Sequence, residues 1–220
     1  MTLKAALTRF AKPKGKNAFF DRLDHRCSVL DVGCGNNSPL LFKNRFPNGR
    51  YTGIDVSDYR HSATIVADEY ILTSPEQFSS TIARFRDEFD AVISSHNLEH
   101  CIDRSATLNA MAGAIKPGGR LYLSFPSEAS VNFPSREGTL NYFDDDTHLD
   151  LPPRMNEILD ILREAGLHAE FAAPRYRPMI LAALGAISEP LSRRQRRVRV
   201  GTWELYGFEA IIWAQKPEMR

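Results

Sequence analysis

The chain has 220 residues, 43% of them apolar and 25% charged, with a formal net charge of +1. That length fits one domain with a substantial core, and the near-neutral balance excludes a global attraction for nucleic acid, so such a partner would need a local patch. Cys27, Cys34 and Cys101 form no CxxC pair and no disulfide framework, and they read as reduced thiols of a cytoplasmic protein.

Residues 2–10 are predicted as a short helix, broken by Pro13 and Gly15, and residues 17–24 as another helical turn. The basic stretch 1–16 lacks the apolar run of a secretory signal, and the apolar run 179–187 is too short to span a bilayer. Residues 28–32 predict a buried strand that ends in a glycine turn. Residues 38–46 predict a helix stopped at Pro47-Asn48-Gly49, and residues 50–55 a second strand. A third strand is expected over 64–67, ending at Asp68. A helix follows over 74–86, with Ser74 as cap and Pro75 at its first position.

Residues 89–94 are apolar throughout apart from Asp90 and the closing Ser94, as a central parallel strand would be. A helix over 103–116 stops at Pro117-Gly118-Gly119, and a fifth strand runs over 120–125. Strands alternating with helices predict an α/β fold with a mainly parallel sheet covered on both faces. Residues 126–153 are long, polar and turn-rich, the kind of connection that usually carries function. A helix over 154–165, a strand over 167–172, an insertion over 176–200 and a final strand over 202–214 complete the chain. The whole, 1–220, is read as one domain with an N-terminal helical segment, 1–27.

The glycine turn carries the chemistry. Gly33 and Gly35 let the backbone turn sharply and let a ligand approach without a Cβ in the way. In an open α/β sheet that crevice, at the carboxyl ends of the strands, is where ligands bind. Asp55 closes the second strand at the same end, where a carboxylate can accept from both ribose hydroxyls of an adenosine. The loop alone also fits NAD. Two details separate the readings: Ser38 replaces the third glycine of GxGxxG, and Asp31 stands just before the loop. A carboxylate there is a poor neighbour for a pyrophosphate and a good one for a ligand carrying an ammonium and a sulfonium.

Asp31-Val32-Gly33-Cys34-Gly35 resembles motif I of class I S-adenosylmethionine-dependent methyltransferases, of the type 11/23 kind. The resemblance continues through Gly53-Ile54-Asp55-Val56-Ser57, through the run from Phe89 to Asn97-Leu98-Glu99-His100, and through Lys116-Pro117-Gly118-Gly119. It is close over residues 28–126 and loose beyond. It implies a Rossmann-like doubly wound seven-stranded sheet with the last strand antiparallel, and S-adenosyl-L-methionine as cofactor. It further implies that Gly33, Cys34 and Gly35 pack against the methionine part and that Asp31 faces its amino group. Asp55 would hold the ribose, Val56 would flank the adenine, and backbone around Ser95 would line the methionine end. Asp68 is either a contact of the adenine amino group or a plain loop carboxylate.

Methyl transfer needs a positioned nucleophile, and a base where the acceptor is a hydroxyl. His96 and His148 are the candidate catalytic residues, histidine being the natural base at neutral pH. His96 closes the fourth strand, whereas His100, one turn later, reads as structural. His148 lies in Asp145-Asp146-Thr147-His148, which resembles an Asp-x-Thr-His element of methyltransferases of this type, some of them acting on glycans. Proton transfer and a purely structural hydrogen bond are equally open for it. The Asp144-Asp145-Asp146 run reads as solvated, with no second histidine at ligand spacing, so no metal is expected. Arg193, Arg194, Arg196, Arg197 and Arg199 form either a solvated basic face or, with the apolar run before them, a peripheral membrane contact.

The expected activity is methylation, at oxygen, of a small-molecule or glycan-like acceptor. An NAD-dependent oxidoreductase, a non-catalytic cofactor-binding module, and methylation of RNA or protein are the alternatives.

Overall fold

The computed structural model describes residues 10–58 and 66–218. Apart from its final residue, the helix expected over 2–10 lies outside them, as do residues 64 and 65 of the expected third strand.

Strands β1 (Ser28–Val32), β2 (Arg50–Asp55), β3 (Glu69–Leu72), β4 (Phe89–Ser95), β5 (Ile115–Pro126), β6 (His168–Ala173) and β7 (Glu209–Gln215) form one seven-stranded sheet in the order β3-β2-β1-β4-β5-β7-β6. Strands β1 to β5 pair in parallel, and β7 runs antiparallel to both β5 and β6. This is the Rossmann-like arrangement that the resemblance implied. Because β2 and β4 leave β1 on opposite sides, the crevice opens at the carboxyl ends of β1 and β4.

The period-2 alternation of the strands divides the core into two layers. Leu30, Val32, Val92, Leu121, Leu123, Phe125 and Ile212 face one side. Val29, Ala91, Ile93, Tyr122, Ile211 and Trp213 face the other. Large apolar side chains such as these contribute about 1.5–3 kcal/mol each when withdrawn from water. The first layer is covered by α3 (Phe78–Ile82), α4 (Arg104–Ala114) and α5 (Met155–Glu164), and the second by α1 (Lys16–Phe20) and α2 (Ser38–Arg45). Asp103 caps α4 by accepting the Ala106 N–H at 2.8 Å, an interaction that contributes about 1 kcal/mol.

Helices α6 (Met179–Gln195) and α7 (Thr202–Tyr206) lie between the carboxyl end of β6 and the start of β7, which pairs with Pro126 at the carboxyl end of β5. The second insertion therefore sits on the side where the crevice opens. Its α6 packs Gly185 and Ser192 inward and leaves Ile180, Leu184, Ile187 and Leu191 exposed. Among the described residues no helix is long and apolar enough to cross a membrane.

Four elements differ from expectation. Strand β5 begins at Ile115 rather than at residue 120, so it takes in Lys116-Pro117-Gly118-Gly119, and the helix before it ends at Ala114. Strand β3 begins at Glu69, after Asp68 rather than before it. The helix expected over 74–86 is a 3-10 turn, Pro75–Gln77, followed by the five-residue α3, and Ser74 makes no side-chain cap. The β-branched and aromatic run from Thr202 folds first as α7, and β7 starts only at Glu209. Gly201 and Gly207, both at positive φ, bracket that helix. At Gly201 a Cβ would fall 2.3 Å from the Leu181 carbonyl oxygen, so contact between α6 and the α7 turn decides the local structure over strand propensity.

Candidate active site

The loop after β1 is fixed by backbone geometry. Gly33 and Gly35 have φ of 70° and 58°, the left-handed region. A Cβ on Gly33 would lie 2.3 Å from Asn97 Oδ1, so the loop abuts the segment after β4 with no room for a side chain. At Gly35 a Cβ would meet nothing within 4 Å, so this face of the loop is open. Cys34 is buried, its Sγ set 2.9 Å from where a Cβ on Gly53 would be. Burial and the nearby Asp31 and Asp55 push its thiol well above the usual range, leaving it a packing group at neutral pH.

Asp55 is tied to this loop. Its Oδ2 accepts the Gly35 N–H at 2.8 Å and its Oδ1 accepts the Ser57 N–H at 3.0 Å. Each oxygen keeps a second acceptor site. Val56, next in the chain, is 44% exposed at the edge of the crevice. Asp31 is buried, and its Oδ2 accepts the Tyr51 hydroxyl at 2.8 Å. Burial pushes this carboxyl up, against the opposing pull of Lys16 and the hydrogen bonds from Tyr51 and Ser38. At the end of β4 the Ser95 hydroxyl is buried without a hydrogen-bond partner.

Asp68 is not part of this group. Strands β2 and β3 are parallel with Thr52 opposite Glu69, so Asp68 stands at the amino end of β3, at the far edge of the sheet from the crevice. Its Oδ2 accepts the Tyr51 N–H and meets Lys43 Nζ, both at 2.6 Å. The adenine contact is therefore corrected: Asp68 ties the start of β2 to α2. The carboxyl ends of β2 and β3 bring exposed Val56 and Leu72 to the crevice instead.

His96 sits at φ 51°, a conformation costing a non-glycine residue about 1–2 kcal/mol. Its ring stacks on Phe208, with Nδ1 3.2 Å from Glu99 Oε1 and Nε2 3.4 Å from Glu209 Oε1. Glu99 and Glu209 are both buried. Burial alone would lower the imidazole pKa; the two carboxylates outweigh it and raise it to about 9. Glu209, which also meets Lys12 Nζ at 2.5 Å, falls to about 2 despite its burial. Both ring nitrogens of His96 face buried carboxylates, an arrangement that favours the protonated imidazole and leaves neither nitrogen turned toward a methyl acceptor. Its expected role as a base is corrected to that of a charged clamp joining β4, β7 and the N-terminal segment.

His148 is in a different state. Its Nδ1 donates to the Tyr142 carbonyl at 2.6 Å and its ring stacks on Tyr142 at 4.4 Å. In the neutral ring that bond leaves the lone pair on Nε2. The loop folds so that His100 lies beside it, ring centroids 4.9 Å apart. The Leu149 N–H donates to the Glu99 carbonyl at 2.8 Å, pinning the loop to the segment after β4.

Sequence reasoning missed Glu209, Lys12 and Arg136. Glu209 carries a readable signal, a lone acid in an apolar strand; Lys12 and Arg136 carry none.

The chain is similar to known proteins. Residues 2–170 match the model of the methyltransferase domain family. The chain belongs to that family. Its cofactor is S-adenosylmethionine, the methyl donor of this class of methyltransferase domain, and membership decides against the NAD-dependent alternative. The methyltransferase domain is 35% identical over 106 residues to a ubiquinone biosynthesis O-methyltransferase of Hydrogenovibrio crunogenus, covering 44% of this chain and 42% of that one. It is 30% identical over 174 residues to the protein of the same name from Xylella fastidiosa, covering 68% and 65%. The match to an uncharacterised protein of Methanocaldococcus jannaschii, 29% identical over 110 residues, takes in 47% of this chain and 29% of that protein. The domain thus spans less than two thirds of the length of these curated relatives. Among solved structures, an S-adenosylmethionine dependent methyltransferase from Mesorhizobium loti has the same fold, with a TM-score of 0.61 at 16% identity over 90% of this chain and 96% of that one. A chain of the Haloferax volcanii complex between the Trm112 methyltransferase activator and a methyltransferase gives 0.66 at 16% identity, over 99% and 94%.

Proposed function

We propose that this methyltransferase domain transfers a methyl group from S-adenosylmethionine to a hydroxyl oxygen of a small-molecule or glycan-like acceptor. The observation that carries the reading is the bond from the Gly35 N–H to Asp55 Oδ2 beneath an open loop face at the carboxyl ends of β1 and β2.

The residues fit the cofactor. The open face at Gly35 accommodates its backbone-packed part, and the free acceptor sites of Asp55 suit the two ribose hydroxyls. Val56 and Leu72 offer apolar surface to the adenine ring. Asp31, with Lys16 and Ser38 nearby, is the anion for the amino end, and the unpartnered Ser95 hydroxyl lines it. When bound, S-adenosylmethionine supplies an electrophilic methyl on a sulfonium whose departure leaves a neutral thioether.

The chain's own residues do the rest. His148 takes the acceptor's hydroxyl proton at Nε2 as the oxygen attacks, its tautomer set by the Tyr142 carbonyl. His96 keeps its charge and holds Glu99 and Glu209 in place. The printed names of the Hydrogenovibrio and Xylella relatives, O-methyltransferases of ubiquinone biosynthesis, support oxygen as the accepting atom.

Radiolabelled methyl from S-adenosylmethionine, offered with panels of phenolic, quinol and sugar hydroxyls, amines and RNA, tests the proposal. Label on a hydroxyl compound, lost about 100-fold in His148→Ala with S-adenosylhomocysteine binding retained, is the expected result. Label only on amines or RNA, or cofactor binding with no transfer to anything, contradicts it.

A further inference from the structure

We infer that Glu99, His100 and His148 form a binding site for one divalent transition-metal ion of the zinc class, beside the acceptor end of the crevice. Each of the three offers a ligand atom, and these atoms lie within 4.8 Å of one another. Two imidazoles and one carboxylate are a donor set suited to Zn²⁺, Co²⁺ or Fe²⁺ rather than to Mg²⁺ or Ca²⁺, which prefer all-oxygen shells.

Three further observations prepare these groups for a cation. His148 Nδ1 faces the Tyr142 carbonyl at 2.6 Å, which only accepts, so the Nδ1–H is committed there and Nε2 keeps its lone pair. His100 is fixed the same way. Its Nδ1 lies 3.1 Å from the Thr147 carbonyl and 3.1 Å from Thr147 Oγ1, whose own proton goes to Asp145 at 2.6 Å. An imidazole that donates one N–H to a carbonyl while presenting its other nitrogen is the usual state of a metal-ligating histidine. The third observation is a buried carboxylate oxygen without a hydrogen bond. Glu99 is 1% exposed; its Oε1 meets His96, and its Oε2 is buried with no hydrogen bond. A buried carboxylate oxygen left unpaired is unfavourable, and a bound cation removes that cost.

Asp145 is placed as the outer support. Its Oδ1 takes the Thr147 N–H and hydroxyl, and its Oδ2 stands 3.8 Å from His148 Nε2. Sequence spacing hides the site, because His100 and His148 are far apart in the chain and meet only when the loop after β5 folds back over the segment after β4.

Three protein ligands leave a further coordination position for an oxygen ligand. A hydroxyl bound there loses its proton more readily than in water. In this role, which rests on the proposed O-methylation, the His148 Nε2 lone pair is committed to the ion when it is bound, so His148 then acts by holding the ion, and the hydroxyl's proton passes to solvent rather than to the imidazole.

The test is titration of the chelator-treated 220-residue chain with Co²⁺ and with Zn²⁺, followed by calorimetry and, for Co²⁺, by visible absorption. Binding of S-adenosylhomocysteine is measured in parallel. One ion per chain, with Co²⁺ bands of a nitrogen-ligated site and affinity reduced at least tenfold in each of His100→Ala, His148→Ala and Glu99→Gln but not in His168→Ala, is expected. Absence of uptake at 100-fold excess metal while S-adenosylhomocysteine still binds overturns the site, as does uptake unchanged in the three variants. If S-adenosylhomocysteine fails to bind while metal uptake behaves as expected, the cofactor reading fails and the metal site stands. Thermal melts of each variant separate lost ligands from lost fold: His100→Ala, which lies outside the His96 clamp, must lose metal affinity while keeping a cooperative melt close to that of the wild type, whereas Glu99→Gln also removes a partner of His96.

Discussion

Arg136 grips Glu189 with two parallel hydrogen bonds, Nη1 to Oε2 at 2.7 Å and Nη2 to Oε1 at 2.6 Å. Arg136 lies in the segment after β5 and Glu189 in α6, so the pair joins the two insertions into one cover over the carboxyl ends of the strands. The Ser192 and Tyr206 hydroxyls complete the guanidinium's shell, and the side chain is 3% exposed. The carboxylate pushes the guanidinium pKa up, and the guanidinium pushes the carboxyl down.

Removing one partner leaves the other charged and underpaired. Arg136→Ala is expected to cost about 3–5 kcal/mol in urea unfolding, whereas Arg136→Met with Glu189→Met, replacing both charges by apolar groups, recovers much of it. Equal losses in the single and double variants would mean that packing rather than charge pairing carries the effect.

Asp144 holds the same segment from the other side. Its Oδ2 accepts three backbone N–H groups, those of Arg136, Leu140 and Asn141, at 3.0, 2.9 and 2.8 Å. Partial burial opposes ionisation, but these bonds outweigh it and hold the carboxyl below its ordinary 3.8. A depressed folded pKa stabilises the fold above the unfolded value, and that stabilisation fades as pH falls through the folded value. Asp144→Asn is therefore expected to lose about 1–3 kcal/mol at pH 7 and to flatten the fall in stability below pH 4, read from urea midpoints across pH. An unchanged acid limb would refute this.

Gly33 tests the loop itself. In Gly33→Ala the new methyl meets Asn97 Oδ1 at 2.3 Å with φ held at 70°. Strain and overpacking together are expected to cost about 2–5 kcal/mol and to weaken cofactor binding, both measurable in one thermal-shift series with and without S-adenosylhomocysteine. Gly35→Ala, where φ is 58° but the space is open, is expected to cost only the backbone term, about 1–2 kcal/mol. Equal costs at the two positions would remove the argument from Asn97.

The sheet and the cofactor loop were legible because their signals are local. Gly33, Gly35 and Asp55 lie at the ends of short buried strands, and the alternation of strands and helices sets where those ends meet. Asp68 misled because the apolar run before it looks like a strand, and only the register of Thr52 with Glu69 shows that the strand begins after it. The acceptor side was illegible for a different reason. His96 with Glu209, His100 with His148, and Arg136 with Glu189 are contacts between distant segments, made by tertiary packing that no spacing rule encodes.

Isothermal titration of S-adenosylhomocysteine into the wild-type chain, Asp55→Ala and Asp68→Asn tests the cofactor site most directly. The expected result is one saturable site, weakened at least tenfold in Asp55→Ala, as the loss of charge-assisted ribose hydrogen bonds of about 1.5–3 kcal/mol requires, and unchanged in Asp68→Asn. No heat of binding to the wild type, or equal affinity in wild type and Asp55→Ala, would contradict it.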